Sequence, residues 1–291
     1  MDIATAPAQQ TRNVSSGWLA IAQVSAIAGI LIALYAAPVA DMAQEWWTEP
    51  QASHGLLIPP LALYIAYMRR KLTFAVPARM EMRGLWLTAL GCFLFLAGRL
   101  AAEFFLTRIS LVVVLAGTAQ TFWGTRRLRT LALPFVLLAT MVPLPVILYN
   151  SLAAPLQLLA STIATNLAQQ LGISIFREGN IIHLASTSLG VAEACSGLHS
   201  LSALVVGSLL LGFLENGGTG GRILLVLLSL PLAVAVNVVR VTGTAILADI
   251  QPDYAMGFYH MFSGWLVFIV GFGVLWAMAR WMFRSRREES R

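Results

Sequence analysis

The sequence predicts an all-α polytopic membrane protein of about eight transmembrane helices. Both termini are expected on the cytoplasmic side, with a short periplasmic hairpin before the sixth helix. Three observations lead there. Hydrophobic residues make up 58% of the 291 positions, close to the roughly 160 apolar residues that eight spans of about 20 residues require. Charged residues are only 11%, where a soluble domain carries about 25%, so a water-facing surface could not be covered. The third observation is where the basic residues fall. The same composition excludes a disordered chain and a collagen-like fibre, and two cysteines exclude a disulfide scaffold.

Apolar runs lie near 18–39, 55–68, 84–99, 104–123, 130–149, 197–214, 222–248 and 262–283. Residues 1–17 form an N-terminal tail; Met1 to Ser16 lacks the charged start and short apolar core of a cleavable signal peptide, so the first run is expected to remain as a span. The second run is short and contains Pro59-Pro60. Arg69, Arg70, Lys71, Arg79 and Arg83 follow it. Arg126, Arg127 and Arg129 follow the fourth run, Arg222 precedes the seventh, and a basic tail over 284–291 follows the eighth. With both termini inside, all these clusters are cytoplasmic. The net charge of +6 then divides into about +10 inside and −4 outside. The basicity reflects topology, and no nucleic-acid partner is expected.

Two outer segments are more than connections. Asp41 to His54 carries Trp46, Trp47 and two Glu residues, which suits an interfacial stretch with an aromatic belt. The segment 150–194 is too long for a simple loop. Its first half, Leu152 to Leu171, is amphipathic through Gln157, Thr162, Asn166 and Gln170, predicting an interfacial or half-inserted helix. Its second half, Ile173 to Leu184, alternates around Glu178-Gly179-Asn180, predicting two strands with a Gly-Asn turn. The whole chain, 1–291, is expected to be one transmembrane domain.

Side assignment brings three reactive groups to one depth. Cys195 lies at the outer start of the sixth span, in Ala194-Cys195-Ser196-Gly197-Leu198. Arg240 lies 18 residues beyond the cytoplasmic Arg222, a helical rise of about 27 Å. His260 lies at the outer start of the eighth span. Each has a plainer reading: Cys195 as a small residue in close helix packing, Arg240 as a snorkelling side chain, His260 as an interfacial histidine. Their common depth, and the ionisable residue inside an apolar run, favour a site. A cysteine is nucleophilic as the thiolate, which a helix N-terminus and a neighbouring cation stabilise. A histidine can take the thiol proton and return it to a leaving amine. Arginine stays protonated and can stabilise an oxyanion. The trio fits amide cleavage through a thioacyl-enzyme. No zinc, Walker or dinucleotide pattern occurs; His183 and His199 are isolated, and Gly217 to Gly221 lacks the lysine of a phosphate loop. No metal or cofactor is expected.

At these positions the sequence resembles the exosortase family, membrane-embedded sorting enzymes of exopolysaccharide-producing bacteria. The resemblance rests on Ala194-Cys195-Ser196-Gly197-Leu198, on Asn237-x-x-Arg240, on His260 with Ser263-Gly264-Trp265, on Arg177-Glu178-Gly179-Asn180 and on Ser53-His54-Gly55. It implies a cysteine peptidase or transpeptidase with Cys195 as nucleophile and Arg240 and His260 completing the site. It further implies the inner membrane, a site facing the periplasm, and secreted protein substrates ending in a short motif such as Pro-Glu-Pro, a transmembrane helix and a basic cluster. A lipid or glycan acceptor and membrane lipids are the further partners expected. His54, Asn237, Ser196 and His199 are candidate substrate-binding residues, although a plain interfacial position suits His54 better. The competing readings are a transporter, with Arg240 binding an anion, an assembly component of polysaccharide export, and an intramembrane serine protease, for which Ser196 is the one candidate.

Overall fold

The chain's three-dimensional structure is a computed structural model describing residues 14–185, 187–190, 198–215, 217–255 and 257–284. It is about 82% helical. In order come α1 (Val14–Thr48), a 3₁₀ turn (Pro50–Leu56), α2 (Ile58–Met68), α3 (Arg70–Ala75), α4 (Arg83–Leu100), α5 (Phe104–Thr130), α6 (Ala132–Thr140) and α7 (Val146–Gln170). Strands β1 (Ile175–Glu178), β2 (Ile181–Leu184) and β3 (Ser188–Gly190) follow. Then come α8 (Leu198–Leu214), α9 (Thr219–Ile250), a 3₁₀ turn (Pro252–Ala255) and α10 (Gly257–Met282). Among the described residues, six helices are long and apolar enough to cross a membrane: α4, α5, α7, α9 and parts of α1 and α10. Two shorter apolar helices, Ala52–Met68 and Leu201–Leu214, accompany them. The protein is thus an all-α polytopic membrane protein.

The expected run 130–149 is not one helix. It divides into α6 and the start of α7 around Pro143-Leu144-Pro145, because proline removes a backbone donor and pushes its predecessor out of the helical region. The amphipathic segment expected from Leu152 is the continuation of α7, which begins at Val146. α1 is also longer than its apolar run. It continues to Thr48, so the aromatic stretch is helical: Trp47 is 80% exposed, whereas Trp46 turns inward.

Lipid tails give apolar helices no reason to associate, so intramembrane packing depends on close fit. α4 meets this with Gly84, Gly91 and Gly98, one every seven residues on its buried face. A Cβ at Gly91 would stand 2.5 Å from the Val114 side chain, and one at Gly84 2.3 Å from the Thr121 amide. The α4 and α5 backbones therefore touch. Glu103 closes their connection by accepting the Leu106 amide at 2.7 Å, capping α5.

Contacts define the two ends of the bundle. At one, Arg69 donates to the Thr130 carbonyl (2.9 Å) and lies 3.9 Å from the centre of the Phe213 ring. Arg222 donates to the Gly212 carbonyl (3.1 Å) and approaches the same ring, while Arg127 donates to the Thr73 carbonyl. Burial and the neighbouring Arg222 hold the Arg69 guanidinium below its usual pKa. Basic clusters that are distant in sequence are thus gathered at one end.

At the opposite end, Trp46 donates its indole N–H to the Met141 carbonyl at 3.0 Å. His54 Nε2 lies 3.3 Å from the Thr140 carbonyl. Gly55 makes room for the indole, since a Cβ there would fall 2.2 Å from Trp46 Nε1. α7 starts shortly after Met141. Its second half, through Ala164 and Ala168, packs on Val241, Ala245 and Ala248 near the end of α9. Both ends of α7 therefore lie at this same end of the bundle, although its length would suffice for a crossing.

The three strands form an antiparallel meander, β1-β2-β3. The two expected strands turn at Gly179-Asn180, with Gly179 supplying φ +60°. β3 is an addition. The sheet's inner face, Ile175, Ile182, Leu184 and Leu189, joins the α7–α9 core. His183 links all three strands: it stacks on Phe176 with centroids 4.6 Å apart, and its Nδ1 lies 2.8 Å from Ser188 Oγ.

Candidate active site

The site is built on α8, α9 and α10. α8 is the central element, sharing one buried cluster with α9 and α10 and packing on the other side against α6 and the Pro50–Leu56 turn. α9 and α10 run antiparallel in tight contact. Gly264 and Gly271, two heptad-spaced glycines of α10, face Arg240 and Val236 of α9. A Cβ at Gly271 would stand 2.6 Å from Val236 Cγ2, and one at Gly264 would stand 2.9 Å from the Arg240 guanidinium carbon. The Arg240 guanidinium is therefore laid across the backbone of α10 at Gly264. His260 precedes Gly264 by one helical turn, which places the two positions on the same face of α10.

α8 and α9 are antiparallel as well, and the Gly212–Arg222 contact, 3.5 Å between Arg222 Cα and the Cβ direction of Gly212, fixes their register. From that contact, 14 residues back along α8 reach Leu198, and the same number forward along α9 reach Val236. Equal helical rise brings the start of α8 to the level of Val236 and Asn237, about one turn short of Arg240. Three chain segments thus converge at one level: the start of α8, the Asn237–Arg240 turn of α9, and the His260–Gly264 turn of α10.

Each sequence-predicted residue can now be located. Arg240 is half-buried on α9. Asn237 is 4% exposed, one turn before Arg240, and its Oδ1 has no hydrogen-bond partner among the described residues. A buried amide oxygen left unpaired costs about 1–3 kcal/mol, so its retention in an apolar helix calls for a use. His199 and His260 occupy the second position of α8 and the fourth of α10, placed by backbone. Cys195 and Ser196 lie outside the described residues; α8 begins three residues after Cys195. His54 belongs to the Trp46–Gly55–Thr140–Met141 clasp, where it binds a backbone carbonyl.

Sequence reasoning gave Gly264 and Gly55 no individual role, because a glycine's meaning depends on what approaches it. The spacing of Gly264 and Gly271 was the available signal. Thr242 and Thr244, which follow Arg240, turn their hydroxyls back to the Val238 and Arg240 carbonyls and so remain within the helix.

A family model, Transmembrane exosortase (Exosortase_EpsH), matches residues 46–277, about four fifths of the chain. The matched region contains Cys195, Arg240 and His260, as well as the aromatic clasp and the three-stranded sheet. No curated protein matches, and no solved structure matches.

Proposed function

The chain belongs to the transmembrane exosortase family, and from that premise we propose that it cleaves the C-terminal sorting signal of secreted proteins with Cys195 as nucleophile. Family membership supports processing of sorting signals in general. The observation carrying the finer reading is the convergence of α8, α9 and α10 at the level of Arg240, with its guanidinium seated on Gly264 one turn from His260.

In this mechanism the thiol of Cys195, three residues before α8 in the sequence, loses its proton to His260. The thiolate is favoured by the nearby guanidinium and the helix N-terminus. Its sulfur attacks the carbonyl carbon after the recognition motif, and the Arg240 guanidinium stabilises the oxyanion of the tetrahedral intermediate. Collapse breaks the C–N bond. His260 returns its proton to the departing amine, and the signal's helix is released while the secreted part remains as a thioester on Cys195. Water or an amine acceptor then takes the acyl group. Asn237 supplies an acceptor for an N–H of the substrate backbone. The reaction takes place at the periplasmic face of the inner membrane, where a substrate helix with a basic cytoplasmic tail inserts in the same sense as α8 and α10.

The sheet offers the substrate's extended segment a partner. Gln169 Nε2 donates to the Ile175 carbonyl at 2.8 Å on the β1 side, whereas β3 leads in sequence towards Cys195. The substrate strand adds to β3 by main-chain pairing. To test the reaction, a candidate substrate is co-expressed with the full-length protein and its C-terminal signal followed by immunoblotting. Wild type shortens the precursor and Cys195→Ala leaves it full length. Processing by Cys195→Ala at the wild-type rate overturns the nucleophile assignment, and loss in Ser196→Ala with retention in Cys195→Ala would transfer the role to serine.

A further inference from the structure

A second site lies at the opposite end of the bundle from Arg240, on the α4–α5 hairpin. α5 kinks at Gly124, where φ is +81° and ψ 162°. The kink frees the Thr121 and Trp123 carbonyls, and the Arg79–Glu81 segment takes them: the Glu81 amide donates to Thr121 (3.1 Å) and the Arg79 amide to Trp123 (3.4 Å). A side chain at Gly124 would strike the Arg79 carbonyl at 2.7 Å, so the bend depends on glycine. Beyond the bend α5 restarts at Thr125, and the Glu81 carboxylate accepts from both its hydroxyl and its amide. Glu81 serves as a helix cap, and its two bonds from Thr125, with smaller contributions from the neighbouring Arg83 and Arg126 guanidiniums, hold its pKa below the usual carboxylate range.

Around that cap lies an open surface cavity, a shallow basin of about 470 Å³ lined by Glu81, Met82, Arg83, Thr125, Arg126 and Arg129, whose arginines are exposed. Arg83, Arg126 and Arg129 make no ion pair or hydrogen bond among the described residues. Three guanidiniums thus line the space against a single carboxylate, which leaves the lining net positive. The surroundings are apolar and exposed: Met80 is 77%, Met82 74%, Trp86 80% and Trp123 40% accessible.

From the same stretch of both helices an apolar groove of about 290 Å³ runs towards the other end of the bundle, between α1 and the hairpin. Leu85 and Phe122 line it at the cavity end, Cys92 and Val114 further along, and Ile27 and Leu31 of α1 across from them. At its far end the groove is closed by Tyr35, whose Oη lies 2.8 Å from Ser110 Oγ, and beyond it Arg108 pairs with Glu45. A basic cavity continued in sequence by an apolar groove has the plan of one amphiphile, an anionic head and a hydrocarbon tail.

We propose that this is a binding site for an anionic glycerophospholipid of the cytoplasmic leaflet. Its phosphate sits among Arg83, Arg126 and Arg129, and one acyl chain fills the groove under α1. Guanidinium groups suit a phosphodiester because they donate in a fixed planar fork. The lipid wedges α1 against the hairpin. This site is independent of the reading of Cys195, Arg240 and His260.

The test uses the full-length protein, delipidated in detergent and titrated with phosphatidylglycerol or phosphatidylcholine of identical chains, with bound lipid counted by native mass spectrometry. Phosphatidylglycerol should bind on the order of ten- to a hundredfold more tightly, from roughly tenfold or less per arginine. Arg83→Gln/Arg126→Gln/Arg129→Gln should abolish the preference. Thr118→Phe, which fills the groove and leaves every charge in place, should weaken retention of both lipids while keeping their ratio. Equal affinity for the two lipids in wild type, or undiminished retention by Thr118→Phe, overturns the proposal. Competition by glycerol phosphate at the lipid's own concentration also overturns it, since a free anion would then suffice. Where the triple variant does not fold, Thr118→Phe alone decides.

Discussion

Arg240 was legible from the sequence because a permanently charged side chain in an apolar helix has few explanations. Its seat was not, since nothing in Ser263-Gly264-Trp265 says which residue will lie on the glycine. The contact makes Gly264 a sensitive probe of the proposed site. A methyl group there meets only the far end of a flexible side chain, so Gly264→Ala should leave the thermal unfolding midpoint in detergent within about 2 °C of wild type. It must nevertheless push the guanidinium aside, and misplacement by about 1 Å can cost roughly a hundredfold in rate. Precursor processing should fall by that order, and processing at the wild-type rate would remove Arg240 from the reaction. Asn237 predicts the opposite balance. Asn237→Leu relieves a buried oxygen without a described partner, so stability should hold or rise by about 1 kcal/mol. If the amide binds substrate, processing should fall about tenfold in the same variant; a drop in stability would identify it as a packing residue.

At the scale of elements, the sequence distinguished apolar from polar but not one apolar element from another. Residues 130–149 are apolar throughout, so hydropathy merged α6 with the first turn of α7, and only Pro143 and Pro145 marked the division. The Gly179-Asn180 turn was readable because a two-residue hairpin loop needs a positive φ. β3, three residues long, is too short for an alternation to register. The α4–α5 pair gives this scale its prediction. At Gly91 an added Cβ meets the Val114 amide nitrogen at 2.9 Å as well as its side chain, so the helices themselves must separate. Gly91→Leu should cost about 2 kcal/mol or more, read as a lowered unfolding midpoint. An unchanged midpoint would mean that α4 and α5 are held together elsewhere.

For the molecule as a whole, the distribution of Lys and Arg carried the most information, and the structure gathers Arg69, Arg127 and Arg222 at one end of the bundle. The proposed orientation puts the sheet outside. In a Cys92→Ala/Cys195→Ala background, a cysteine at the Gly179 turn should react with a membrane-impermeant maleimide on intact spheroplasts, and one at Gly220 only after permeabilisation. Reversed labelling would invert the topology and move the site to the cytoplasm. The charge pattern offers an expectation of depth but none of neighbourhood, because three helices at equal depth can stand far apart around a bundle. Contacts through Gly212, Gly264 and Gly271 supply that information. The order of these helices along the chain also sets a timetable for biosynthesis. α8 needs α9 and α10 to bury Leu204 and Leu211, and α10 follows both of the others in the chain. A ribosome that has not passed Gly257 has made the proposed nucleophile and its guanidinium but not the proposed proton carrier, so under the proposed mechanism cleavage cannot begin before α10 is inserted.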